Sequence, residues 1–309
     1  MPYELPPMRP PSEARSLLVR VMRGCPWNYC TFCSAYKDVP RRTLMRSVAE
    51  VMSDIDELRE RFDEMRDQGH VVAPQTAFLA DSNAIIIKTD DLVQIVAYLL
   101  EAFPSLERVT SYGRAKTVLN KDPDELRELR KAGLNRLHLG LESGDDSVLK
   151  RVQKGASSDE MIAAGLRVKE AGFELSEYVM PGLGGLENSR SHVEGTARVL
   201  NAVDPHYTRA RSLILAPGTP LHEEYEAGEF QAMSMLDMAH EIRALVKRLE
   251  ITGRLCFDHF SNPPFLRQDW EGYKFPEEKE DVLSTIDSAL EGSRLMPAEG
   301  LGPVIDSRL

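Results

Sequence analysis

Asp122-Pro123-Asp124-Glu125, Gly133 and the run Arg136-Leu137-His138-Leu139-Gly140-Leu141-Glu142 are the stretch from which the fold is read. Asp122 supplies an N-cap oxygen, Pro123 fits the first helical turn, and Glu125 stands where a capping box needs a carboxylate. Gly133 ends that helix. The period then changes. Leu137, Leu139 and Leu141 fall on one face and His138, Gly140 and Glu142 on the other, so a strand runs from Arg136 to Leu141.

The same alternation recurs in both directions. Before it come a strand at Ser16–Arg23, with Leu17, Val19 and Val21 on one face, and a helix at Met45–Gln68 carrying Val48, Val51, Ile55, Leu58, Phe62 and Met65 at helical spacing. A strand at Thr76–Ala80 ends in the polar turn Asp81-Ser82-Asn83; a helix with Leu92, Ile95, Val96 and Leu99 leads to a strand at Arg108–Tyr112. After it, Ser157 and Glu160 open a helix that stops at Gly172, and Phe173–Met180 reads as a strand running into Gly182-Leu183-Gly184-Gly185. A helix at Glu187–Leu200 and a strand at His206–Leu215 complete six repeats. The fold class is therefore α/β, and six strand–helix units suit a partial (β/α)6 TIM-like barrel; a full barrel needs two more. A doubly wound sheet has the same periodicity and stands as the alternative.

Past Pro217 the pattern loosens into a helix at Leu236–Leu249, a short strand at Arg254–His259, a proline-rich loop and a helix at Glu277–Leu290, read as a C-terminal α/β extension closing the barrel. The expected organisation is a Pro-rich N-terminal arm at 1–14, a core barrel at 15–221 and the extension at 222–309.

The composition, 42% hydrophobic and 28% charged, is that of a soluble globular chain. A net charge of −11 argues against a polyanion such as nucleic acid as partner. No apolar run approaches the roughly 18 residues that span a bilayer, which excludes a membrane-spanning helix. The first eleven residues hold five prolines and no signal-peptide core, so a cytoplasmic location is expected. In a reducing compartment, clustered cysteines read as metal ligands before disulfides.

Three of the four cysteines lie within nine residues, in Cys25-Pro26-Trp27-Asn28-Tyr29-Cys30-Thr31-Phe32-Cys33. Thiolates so close together hold one soft centre, zinc or iron–sulfur. A structural zinc normally takes four ligands. Cys256 is far away in sequence and no histidine lies near the trio, whereas a [4Fe–4S] cluster tolerates a non-cysteine ligand at its fourth iron. The other unusual polar groups also follow strands: Asp81-Ser82-Asn83, Tyr112-Gly113-Arg114, Glu142-Ser143-Gly144 and the glycine turn at 182–185. In parallel α/β folds those strand ends carry the chemistry.

On these residues the chain resembles the radical S-adenosylmethionine (SAM) enzymes. Cys30-Thr31-Phe32-Cys33 matches the second half of their cysteine motif, aromatic included, while the first half carries one residue more than the usual spacing. Leu139-Gly140-Leu141-Glu142-Ser143-Gly144, with Lys154-Gly155, the turn at Gly182–Gly185 and Ala216-Pro217-Gly218-Thr219-Pro220-Leu221, is similar to the subgroup of oxygen-independent coproporphyrinogen dehydrogenases and methylthiotransferases. The resemblance implies a [4Fe–4S] cluster on Cys25, Cys30 and Cys33, with SAM chelated at the open iron and cleaved to a 5′-deoxyadenosyl radical that abstracts hydrogen. It implies Phe32 near the adenine and Asp81, Ser82 and Asn83 at the methionyl amine. It further implies Glu142 and Ser143 at the ribose, Lys154 at the SAM carboxylate, and Gly182 and Gly184 against the adenine. An electron donor such as flavodoxin or ferredoxin is implied as partner. Iron without SAM chemistry, or zinc on a borrowed barrel, is a competing non-catalytic reading, and a tetrapyrrole-linked activity is a competing enzymatic one.

For the substrate, Tyr207, Arg209, Arg211 and Leu213 alternate along the sixth strand; if that face points inward, Arg209 and Arg211 suit a carboxylate or phosphate, and otherwise they form ion pairs. Tyr112 and Tyr178 are candidates to shape the cavity or donate hydrogen, with packing the competing role. His138 is foremost a core histidine. Cys256, beside Asp258 and His259, is a candidate hydrogen-atom donor against the reading of a small buried hydrophobe. The expected reaction is hydrogen abstraction from a small, anionic metabolite.

Overall fold

In the computed structural model, which describes residues 8–37, 43–70, 73–293 and Ile305, strands and helices alternate as the sequence predicts. The start of the Pro-rich arm, up to residue 7, lies outside the described residues. The chain folds as two compact units: Met1–Asn28 with Asp38–Leu139 and Arg167–Leu175, and Tyr29–Lys37 with Gly140–Leu166 and Ser176–Leu309.

The first unit holds β1 (Leu17–Arg20), the short pair β2 (Met22–Arg23) and β3 (Leu44–Met45), α1 (Val48–Asp67), β4 (Thr76–Ala80), α2 (Thr89–Ala102), β5 (Arg108–Gly113), α3 (Ala115–Asn120), α4 (Pro123–Ala132) and the first part of β6 (Leu134–Glu142). Its parallel ladder runs β1, β4, β5, β6, in chain order. Side chains predicted at helical spacing, Val51, Ile55, Leu92, Ile95, Val96 and Leu99, are buried, as are Leu17, Val19, Ala77 and Leu79 on the strands. The capping boxes are present at Ser47/Glu50 and Asp122/Glu125. α3 has no signature in the sequence, because six residues are too few for a helical period to register.

The second unit holds the end of β6, α5 (Asp146–Arg151), most of α6 (Ser158–Glu170) and of β7 (Glu174–Val179), α7 (Gly185–Val203), β8 (Tyr207–Ala210), α8 (Pro220–Glu226), α9 (Met235–Arg248), β9 (Arg254–Cys256), β10 (Tyr273–Lys274) and α10 (Lys279–Ser293). β7, β8 and β9 pair in parallel and β10 joins β9 antiparallel. The predicted sixth strand stops at Ala210 rather than Leu215. Ser212 gives both its N–H and its hydroxyl to Asn262 Oδ1 at 3.1 Å, which takes it out of the ladder. The strand expected in the extension is β9, which lengthens the parallel set beside β8. Among the described residues, no helix is long and apolar enough to cross a membrane.

A buried carboxylate organises the first unit from below β4, β5 and β6. Glu13, fully buried just before β1, receives the Ser16 hydroxyl at 2.6 Å and lies 3.3 Å from His138 Nε2 and 3.5 Å from the guanidinium groups of Arg108 and Arg136. Burial alone raises its pKa, but the hydrogen bond and charge of His138, with Arg108 and Ser16, more than offset this and hold it at about 2, against an ordinary 4.5. His138 is thereby a core histidine, packed between Glu13 and the rings of Tyr112 and Phe78.

Because the folded-state pKa lies below the unfolded one, this group contributes stability above pH 4.5 that is lost as pH falls toward 2. The contribution is on the order of 3 kcal/mol. Glu13→Gln is expected to lower stability at neutral pH by a similar amount and to flatten the loss of stability across that acid window. Denaturant unfolding from pH 3 to 7 checks this, and parallel curves for the two proteins would show that Glu13 is not the group responsible.

Candidate functional site

The cysteine loop is gripped at both of its arms through backbone groups. On the first arm, the residue before Cys25 is held by the turn that follows β4. Gly24 N–H donates to Asp81 Oδ2 at 3.1 Å, and Ser82 Oγ donates to Gly24 C=O at 2.7 Å. Asp81 also accepts from Arg20 Nε at 3.2 Å; burial raises its pKa, opposed by Arg20 and the Gly24 amide. Asn83 is spent structurally, accepting from Arg114 N–H and donating to Thr117 Oγ1. The extra residue of the first half is accommodated by a turn: Asn28 has φ +49° and points its N–H at Cys25 Sγ, 3.4 Å away. The Arg114 guanidinium lies over the Trp27 ring at 5.0 Å.

On the second arm, Cys33 N–H donates to Cys30 C=O, closing a turn around Thr31 and Phe32. The buried Thr31 joins two helix ends. Its N–H donates at 3.0 Å to Val152 C=O, the C-cap of α5, and its C=O accepts at 3.1 Å from Leu221 N–H in the first turn of α8. Both partners are groups that a helix cannot satisfy internally. Phe32 packs against the cluster of Val148, Val152, Leu183, Leu221 and Phe230. The turn at 216–221 thus serves the cysteine loop directly. All three cysteines are half-buried and outside any disulfide.

The end of β6 carries the second feature. Ser143 N–H donates to Leu141 C=O at 2.8 Å, making a γ-turn with Glu142 at its centre at φ +63°, a strained conformation for a residue with a Cβ. The turn sends the Glu142 side chain back over the strand to Lys154 Nζ, 2.9 Å from Oε1. Lys154 is delivered by a Schellman end of α5: Gln153 is left-handed at φ +52°, and Lys154 N–H donates to Leu149 C=O. Gly140 makes room for the pair. A Cβ there would stand 2.3 Å from Glu142 Oε1 and 2.7 Å from Lys154 Nζ.

Behind the pair, a hydrogen-bonded chain reaches into the C-terminal extension. Ser143 Oγ is bonded to His192 Nδ1 at 2.8 Å and to Asp145 N–H at 3.1 Å. Gly144 and Gly195 meet backbone to backbone, a Cβ on Gly144 falling 2.1 Å from Gly195 C=O. Glu241 on α9 accepts from Gly182 N–H at 2.6 Å and from Ser189 Oγ at 2.5 Å, with His192 Nε2 3.8 Å away. Burial lowers the His192 pKa, only partly countered by Glu241 and Asp145, so the ring is neutral. Gly184 N-caps α7. His192 and Glu241 carry no sequence signal, since neither belongs to a motif and their partners are distant in the chain.

The remaining predicted residues are placed as follows. Tyr112 packs edge-on against Phe78, ring centroids 5.1 Å apart. Arg209 is fully buried, donating to Asp258 Oδ2 at 2.5 Å and to Ser176 Oγ at 3.2 Å. Arg211, half-buried, lies over the Tyr178 ring at 4.5 Å. Tyr178 and Cys256 are buried, and burial pushes the Cys256 thiol up to about 11, beneath the backbone of Trp270 and Glu271.

The chain is similar to known proteins over much of its length. Residues 19–199 match the sequence profile of the Radical SAM superfamily. Relatives include a tRNA uridine(34) acetyltransferase of Methanocaldococcus infernus, 23% identical over 67% of this chain and 44% of its own, and a 4′-phospho-dehydrooxetanocin synthase of Priestia megaterium, 25% identical over 61% and 27%. The heme chaperone HemW of Bacillus subtilis is 24% identical over 42% of this chain and 34% of its own. The chain thus spans less than half the length of these curated relatives. Methylornithine synthase superposes over 95% of this chain and 71% of its own with a TM-score of 0.55 at 16% identity, which supports the partial TIM-like barrel over the doubly wound alternative.

If Gly140 is the slot for Glu142 and Lys154, Gly140→Ala displaces two flexible side-chain ends and leaves the backbone in place. Its unfolding free energy is expected to stay within about 1 kcal/mol of the parent. A crystal structure of the variant should show the carboxylate–ammonium contact opened beyond about 4 Å; an intact pair beside the introduced methyl group would remove the slot from the account.

Proposed function

Because the chain belongs to the radical SAM superfamily, a family of enzymes that use a [4Fe–4S] cluster and S-adenosylmethionine, we propose that it cleaves SAM reductively and abstracts hydrogen from a small, anionic metabolite. Bound together, cluster and SAM supply the 5′-deoxyadenosyl radical, and the chain's part is to bind, orient and shield. Cys25, Cys30 and Cys33 hold the cluster. Three thiols on one loop, held at Gly24 and Thr31 by backbone hydrogen bonds, are a donor set that fits it.

The observation that carries the SAM reading is the Glu142–Lys154 pair lying over Gly140. An anion and a cation side by side at a strand end match a ligand that bears hydroxyls, a carboxylate and an amine. Glu142 accepts from the ribose hydroxyls and Lys154 meets the carboxylate, while the turn at Gly182, fixed by Glu241, offers backbone to the adenine beside Phe32. The side chains of Asp81 and Asn83, expected at the methionyl amine, are engaged within the first unit with Gly24, Arg20, Arg114 and Thr117. An electron donor of the flavodoxin or ferredoxin kind reduces the cluster. The net charge of −11 favours a small metabolite over tRNA, although one relative's name refers to tRNA uridine.

Anaerobic reconstitution with iron and sulfide, followed by SAM and dithionite, is expected to yield 5′-deoxyadenosine. Cys25→Ala should lose both the cluster's visible absorption and the product. Glu142→Ala should keep the absorption and raise KM for SAM about tenfold, the loss of one charge-assisted hydrogen bond. Absence of 5′-deoxyadenosine together with a Cys25→Ala protein indistinguishable from the parent would exclude this function.

A further inference from the structure

We propose that Glu241 of α9 is a positioning residue for the adenosyl half of SAM, so that the C-terminal extension is a working part of the cofactor site. The inference rests on the function argued above and gives the extension a task beyond closing the barrel. Glu241 is buried, and it acts through the backbone it holds. Its carboxylate is divided between two elements that meet behind the glycine turn. Oε1 accepts from Gly182 N–H at 2.6 Å, just past the end of β7, and Oε2 accepts from Ser189 Oγ at 2.5 Å, in the second turn of α7. The neighbouring peptide groups are met by backbone. Met180 N–H donates to Glu142 C=O, Pro181 C=O accepts from Leu213 N–H, and Gly182 C=O accepts from Gly185 N–H. The Gly182 amide depends instead on one side chain from a helix 59 residues away. Gly182 has φ +86°, and a Cβ there would stand 3.0 Å from Met238 Cε, so α9 comes close because this residue is glycine.

His192 carries the same anchoring to the ribose carboxylate. Its Nδ1 is 2.8 Å from Ser143 Oγ, its ring hydrogen-bonds the Met180 backbone, and its Nε2 lies 3.8 Å from Glu241 Oε1. Ser143 is the residue whose N–H closes the γ-turn on Glu142, and Glu142 C=O accepts from Met180 N–H at 2.9 Å. The turn proposed for the adenine and the turn that aims Glu142 at the ribose are thus held in one frame, and its back wall is the His192–Glu241 pair. Groups that receive a ligand work only as well as the residues behind them hold their place, and a drift of about 1 Å is enough to spoil the fit. Removing the Glu241 carboxylate frees the Gly182 amide and the Ser189 hydroxyl together, while the cysteine loop keeps its own anchors at Gly24 and Thr31.

The test is calorimetric titration of SAM into the reconstituted, oxidised holoenzyme at pH 7 without reductant, so that binding is read apart from turnover. Glu241→Ala is expected to weaken SAM binding about tenfold, the loss of one hydrogen bond to a charged group. Glu241→Gln should stay within about threefold of the parent, because its amide oxygen still accepts from Gly182 and its NH2 group donates to Ser189 Oγ. Val246→Ala trims the buried face of α9 five residues further on; it should lower stability in denaturant unfolding and leave the affinity unchanged. Should Glu241→Ala not fold, Glu241→Asp, one methylene too short to reach Gly182 and Ser189 together, reads the same contact. Parent affinity in the alanine or aspartate variant, or an equal loss in Val246→Ala or Glu241→Gln, overturns the proposal. A parent that binds no SAM sinks the proposed function and this inference with it. The expected losses of affinity in a preparation that forms no 5′-deoxyadenosine would sink the radical chemistry alone and leave the positioning role standing.

Discussion

The peptide of Thr31 is the constraint on which the metal-binding arm depends. A helix leaves carbonyls unmet at its C-terminus and amides at its N-terminus. Here one residue meets one of each, Val152 C=O at the end of α5 and Leu221 N–H at the start of α8. Each bond contributes only about 1 kcal/mol net, but leaving either buried group unmet costs about 1–3 kcal/mol. Cys30 and Cys33 flank this peptide, so their backbone positions are set by two helices. Cys25 gains the same security from Gly24, whose amide and carbonyl are both taken by the turn after β4.

Strain is spent where an ordinary strand end would leave the side chain badly aimed. Glu142 at φ +63° costs on the order of 1–3 kcal/mol and persists because its neighbours over-determine it. Glu142 C=O accepts from Met180 N–H, Ser143 is bonded to His192, and Gly144 is pressed against the Gly195 backbone. The outcome is a carboxylate folded back onto Lys154 across a residue with no side chain. A glycine in a strand interior is normally a weakness; at Gly140 it is what allows the pair to exist.

Two buried carboxylates are handled by pairing. Glu13 gathers Arg108, Arg136 and His138, and Asp258 neutralises Arg209. Such pairs are weak sources of net stability but costly to break, which makes them effective at fixing register. The Arg209–Asp258 pair fixes β8 against the segment that follows β9.

Local patterns determined a good deal by themselves. Alternation of apolar residues gave the strands, and caps at Asp122 and Ser157 gave helix starts within a residue or two, because these are short-range properties that adjacent residues encode. The cysteine spacing and the family resemblance named Cys25, Cys30, Cys33, Glu142 and Lys154 as the candidates for the site. Partnerships across the chain were decided only in the tertiary structure. Arg209 and Arg211 look equivalent along a strand, yet Asp258, 49 residues from Arg209, holds it in a buried ion pair, while Arg211 lies over the Tyr178 ring. Glu241 reaches Gly182 across 59 residues and Glu13 reaches His138 across 125, with no periodicity to announce either. Periodicity reports which face a residue lies on. What stands opposite that face, and therefore which charge is neutralised by which partner, is settled by packing.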